Sequence, residues 1–139
     1  MFKELQNVAK HFEINKEVIA TTWVERENVH ERLLKNGIDP HFFANHFGVR
    51  VIEYAVGVIQ GTKTLGDCPV IHVMLDLFQE KKIPLNDLFI ICAGLKTTFI
   101  LIAYDSGLLT EEFISKMTDL MDQNFEGVMI EYMAKTQGV

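Results

Sequence analysis

The chain has 139 residues, 48% hydrophobic and 23% charged, with a formal net charge of -6: ordinary composition for one globular domain built on one core. That acidity gives no general attraction to nucleic acid or to an anionic membrane surface, so neither is an expected partner. The two cysteines, Cys68 and Cys92, have no disulfide-framework or zinc-type spacing, and the N-terminus has no signal-peptide pattern, so the cytoplasm is the expected compartment.

Residues 3–12 predict a first amphipathic helix, with Phe2, Leu5, Val8, Ala9 and Phe12 on one side. Asn15 is the expected N-cap of a helix running to about residue 35. Its expected buried face is Val18, Ile19, Thr22, Trp23, Val29, Leu33 and Leu34. Asn36-Gly37 ends it, because glycine takes the left-handed conformation that closes a helix. Asp39-Pro40 starts another, an acidic cap followed by a proline in the first turn. Phe43, Phe47, Val51, Tyr54, Ala55 and Val58 then recur at helical spacing to about residue 59, while His41, Asn45, Arg50 and Glu53 fall elsewhere.

A glycine-rich loop over 61–67 leads to a shorter helix over 69–80 carrying Val70, Val73, Met74, Leu77 and Phe78. The stretch from 84 to 107 organises the rest. Its apolar residues cover nearly every side of a helix, which calls for enclosure by other helices or by lipid. Lipid is the weaker option, because the run is short for a span and Lys96, Thr97 and Thr98 interrupt it. Thr110 caps a last helix whose stripe includes Met117, Met121, Phe125, Val128 and Tyr132, nearly a four-three alternation suited to a bundle face or a dimer seam. No strand-like alternation competes, so the fold class is all-α, with five to six helices.

Candidate chemistry is sparse. Glu27 and His30 have the spacing that places a carboxylate and an imidazole on one helix face, as in carboxylate-bridged metal bundles. No second copy exists, and Glu25 and Glu31 give the surroundings of a solvated face. His41 and His46 are spaced for different sides of a helix. His72, among Val70, Ile71, Val73 and Met74, is the candidate axial ligand if the chain binds haem, and otherwise a histidine bonded to backbone. Lys96 reads as a stem lying along the surface, and Cys92 as a small core residue. Phe42, Phe43, Phe47, Phe89 and Phe99 would either line an apolar pocket or pack in the core. Asp105-Ser106-Gly107 reads as a helix end. There is no phosphate-binding glycine loop, nucleophile elbow or cysteine-pair zinc motif.

The second half, FQEKKIPLNDLFIICAGLKTTFILIAYDSGLLTEEFISKMTDLMDQNFEGVMIEYMAK, resembles the N-terminal sensory domain of bacterial stressosome proteins of the RsbR type. The likeness lies in its layout: a short helix, a linker ending at Ile83-Pro84-Leu85, a long helix containing Leu95-Lys96, and a final amphipathic helix, with Trp23 on an early helix. The resemblance implies a globin-like domain, usually without haem, that dimerises and acts as an input module ahead of an effector. The expected function is therefore a non-enzymatic sensory or protein-interaction domain, forming a homodimer through a helix face and serving a downstream signalling partner. It would be either a complete protein or the input domain of a longer one. A haem-bound gas or redox sensor using His72 is the alternative, and a metal-dependent helical-bundle enzyme at Glu27 and His30 the second.

Overall fold

The computed structural model describes residues 2–64 and 68–136, and side chains from residue 5 onward within them. The helices are α1 (Phe2–Ile14), α2 (Lys16–Glu25), α3 (Glu27–Lys35), α4 (Pro40–Phe43), a π turn (Ala44–Gly48), α5 (Val49–Gln60), α6 (Pro69–Glu80), α7 (Leu85–Asp105) and α8 (Glu111–Thr136). No strand occurs among the described residues, and the buried apolar side chains join in one core. The fold is all-α, with a helix count near that expected of a globin-like domain.

Two expected helices are subdivided. The segment after Asn15 breaks at Arg26, whose backbone is extended (ψ 131°). The sequence explains the break by a slip in its apolar stripe. Ile19, Ala20, Trp23 and Val24 are buried, and a continuous helix would put Glu27 and Asn28 next on that face. One extended residue resets the phase, so that Val29 and Leu33 of α3 are buried instead. Val18, Thr22 and Leu34, expected inside, are exposed. Asn15 does not cap α2: its side-chain amide donates to the His11 carbonyl at 2.9 Å. The second subdivision is the π turn, closed by the Val49 N–H donating to the Ala44 carbonyl.

Other boundaries follow the expected chemistry. The Asp39 carboxylate accepts from the Phe42 N–H at 3.3 Å, and the Thr110 hydroxyl accepts from the Phe113 N–H at 3.0 Å. Gly37 and Gly107 take positive φ where helices end.

α7 lies against α2 and α3 on one side and α8 on another, α1 lies along α5, and α6 packs on α8 and the π turn. The Trp23 indole N–H donates to the Ile91 carbonyl at 2.8 Å, fixing α2 to the middle of α7. Asp87, at the start of α7, receives Lys35 Nζ at 3.2 Å and Asn36 Nδ2 at 3.1 Å, with Arg32 Nε 3.5 Å away. Burial pushes the Asp87 carboxyl up, but the Asn36 and Lys35 hydrogen bonds and the Lys35 and Arg32 charges outweigh it and hold the group below its ordinary value. Phe12 stacks on Phe99 at 4.8 Å and meets Phe113 at 5.9 Å, which closes the α1 end of the core.

α7 is long and apolar enough to cross a membrane, and half of its most apolar window is buried in the fold. It is not enclosed all round: Phe89, Leu101 and Tyr104 stay exposed.

Candidate functional site

A cleft of about 580 Å³ lies between the helix running through the π turn and α6, within the size range of small-molecule sites. One wall carries Phe42, His46 and Phe47 from α4 and the π turn, followed by Arg50, Glu53 and Tyr54 from α5. The facing wall is Cys68, Pro69, Val70 and Val73 at the start of α6, with Lys63 at the rim. These positions follow from local sequence. Pro69 sits in the first turn of α6, where its missing N–H costs nothing. The stem of Lys63 packs over Gly57, which has no side chain to displace it, and the Lys63 N–H donates to the Gly57 carbonyl at 3.1 Å. The Tyr54 hydroxyl donates to the Thr64 carbonyl, holding that same segment.

The cleft is apolar inside and cationic at its edge. Phe42 and His46 lie ring against ring at 4.3 Å, and Phe42, Phe47, Val70 and Val73 supply apolar surface. Glu53 is engaged by Lys16 at 3.2 Å, whereas Arg50 and Lys63 have no ion-pair partner among the described residues. Such a site can hold an apolar body and neutralise one negative charge at its mouth.

No family model, curated protein or solved structure matches this chain.

His72 does not border this cleft. Its Nδ1 is 2.9 Å from Glu131 Oε2, beside a separate pocket of about 110 Å³ between α6 and α8. Lys135 Nζ to Asp76 at 2.7 Å and Gln79 donating to the Lys135 carbonyl at 2.8 Å continue the same α6–α8 seam. His72 thus stands outside the large cleft, where the imidazole present is that of His46 on the π turn.

Met117, Met121, Val128 and Tyr132, expected as a dimer face, are buried in the core of this chain, and Phe125 alone of the five is half exposed. The reason is that the stripe on α8 meets α6 and α7: the Tyr132 hydroxyl donates to the Ile83 carbonyl at 2.7 Å, and it cannot serve an outside partner as well. The open face lies about a quarter-turn away, in a groove of about 320 Å³ formed by Phe89, Ala93 and Lys96 of α7 with Asp122, Phe125, Glu126 and Met129 of α8. Lys96 pairs there with Asp122 at 3.3 Å, its stem along the surface as expected.

Glu27 is exposed and His30 points its Nδ1 toward the Val24 carbonyl at 3.3 Å. Among the described residues no three His, Cys, Asp or Glu side chains converge as a metal would require. Cys92 is a core residue, and burial pushes its thiol up to about 12. Ser106 Oγ lies 2.8 Å from His11 Nε2, at the α7 end that positive-φ Gly107 closes. Of the five phenylalanines singled out, Phe42 and Phe47 line the large cleft, Phe89 lines the groove, and Phe43 and Phe99 are core.

Arg50, Glu53 and Lys63 are the functional candidates that sequence reasoning passed over. Arg50 and Glu53 stand one position off the apolar stripe, which reads as a solvated edge until α6 is placed opposite.

Proposed function

We propose that this chain is a non-enzymatic input domain of bacterial signal transduction, of the RsbR sensory type. It takes a small amphipathic anion in the cleft between the π turn, α5 and α6, and pairs with a second copy of itself through the open α7–α8 face. The carrying observation is the cleft, with an apolar interior of ligand size edged by Arg50 and Lys63. The pairing half draws support from the groove, which apolar Phe89, Phe125 and Met129 line together with Lys96, Asp122 and Glu126. Two-fold pairing sets apolar surface on apolar surface and brings each lysine toward the partner's acidic edge. The signal passes to an effector in the cytoplasm, attached or separate.

The test is titration with anilinonaphthalenesulfonate, an apolar fluorophore bearing one sulfonate, in competition with octanesulfonate. One saturable site is expected, and the Arg50→Glu/Lys63→Glu double variant should bind about tenfold more weakly, equivalent to about 1.4 kcal/mol. Unchanged affinity in that variant rejects the cleft. Light scattering should give twice the chain mass of 15.9 kDa and Phe89→Glu should return it to that mass, whereas a wild-type monomer rejects the pairing.

A further inference from the structure

The π turn stands between the cleft and the centre of the fold. On one side Phe42, His46 and Phe47 line the cleft. On the other, the Phe43 ring meets Trp23 edge to face at 5.3 Å, and a Cβ on Gly48 would lie 3.2 Å from the Ala20 Cβ and 3.7 Å from the Trp23 ring. Trp23 does not border the cleft, is 2% exposed, and donates to the Ile91 carbonyl at 2.8 Å. Ile91 sits on α7 between Phe89 and Ala93 of the open groove.

A π turn holds one residue more than the α-helical turn it replaces, and single π turns inside α-helices are frequent at functional sites. We propose that Ala44–Gly48 is a two-register element coupling occupancy of the cleft to α7, with Phe43 and Trp23 as the contacts that carry the shift. The proposal rests on the cleft being a ligand site. A ligand pressing on Phe42, His46 and Phe47 favours one register, because it contacts the turn directly and differs in contact between the two. Phe43 then moves against Trp23, and the indole–carbonyl bond to α7 changes length. Packing on both faces of the turn leaves discrete arrangements rather than a continuous range.

The chain's single tryptophan makes this directly measurable, because it gives one indole N–H cross-peak in a ¹H–¹⁵N spectrum. Octanesulfonate is the probe, since it does not absorb and is seated by the same chemistry as the fluorophore it displaces. The expected result is a saturable displacement of the indole cross-peak with the same midpoint as the fluorophore competition. Phe43→Leu, which keeps an apolar side chain but removes the ring contact, should still bind octanesulfonate and lose most of that displacement. Failure of the competition overturns the ligand site itself. Competition that succeeds with a stationary indole cross-peak overturns the coupling alone. A full displacement retained in Phe43→Leu overturns the route through the π turn. Should Phe43→Leu fail to fold, Phe42→Leu serves: it keeps the Trp23 contact and should bind more weakly with an undiminished displacement at saturation, and a displacement lost there overturns the route.

Discussion

Gly94→Ala is the most informative single change at the crossing of α7 with α2 and α3. On an exposed helix the substitution stabilises by about 1 kcal/mol, since alanine has the higher helix propensity. Here a Cβ would lie 2.5 Å from Val29 Cγ2 and 3.5 Å from the Trp23 Nε1 and Cδ1 atoms. Val29 is 0% exposed, so its methyl has no open space to enter. Overpacking of this kind costs about 1–3 kcal/mol, and an overlap so short belongs at the upper end, leaving a net loss of about 2 kcal/mol after the helix gain. With a urea slope of about 2 kcal/mol/M, the unfolding midpoint should fall by about 1 M. Trp23, the chain's one tryptophan, reports the transition by its emission. Val29→Ala in the same chain removes the opposing methyl, so the double variant should be more stable than the sum of the two losses by about 1 kcal/mol or more. A Gly94→Ala protein as stable as the wild type, or strict additivity in the cycle, would refute the close crossing.

Asp87→Ala should cost about 2–3 kcal/mol, below the full range for a broken buried ion pair because Lys35 is exposed. Its pH signature follows from the depressed native pKa: the stabilisation is present above the unfolded carboxylate value of about 4 and is lost as pH falls through the lower native one. Urea midpoints measured down that range should fall more steeply for the wild type than for Asp87→Ala, and parallel curves would contradict the assignment. Cys92, with its thiol pushed up to about 12, is about one part in ten thousand thiolate at pH 8. In a Cys68→Ala chain, dithionitrobenzoate should therefore release no thionitrobenzoate from native protein and one equivalent in urea, and rapid native release would show that Cys92 is open.

Much of the fold was legible because helix ends write themselves in side chains. Asp39-Pro40, Thr110, Gly37 and Gly107 each act where their chemistry predicts. The break at Arg26 carries no proline or glycine and is visible only as a slip in the apolar stripe, a weaker signal than a cap. The π turn leaves less trace still, since Phe43, Phe47 and Val51 fit an α-helical spacing regardless. The reading of α8 found the apolar stripe but not its partner. Periodicity shows which residues share a face, and only the placement of α6 and α7 shows that this face is already filled, leaving Phe89, Phe125 and Met129 open. The cleft was legible only in part, through Phe42 and Phe47. Its cationic rim joins Arg50 on α5 to Lys63 across a turn, and no local pattern brings those two together. His72 was apolar in its sequence neighbours yet faces Glu131, because four adjacent helical residues point in different directions.

Whether a small amphipathic anion occupies the cleft is decided by mapping its binding in ¹H–¹⁵N correlation spectra of the labelled chain. On addition of octanesulfonate, saturable shifts should concentrate in residues 42–54, at Lys63 and in residues 68–73. Shifts that never saturate, or that fall instead on Phe89, Phe125 and Met129 along α7 and α8, would contradict it.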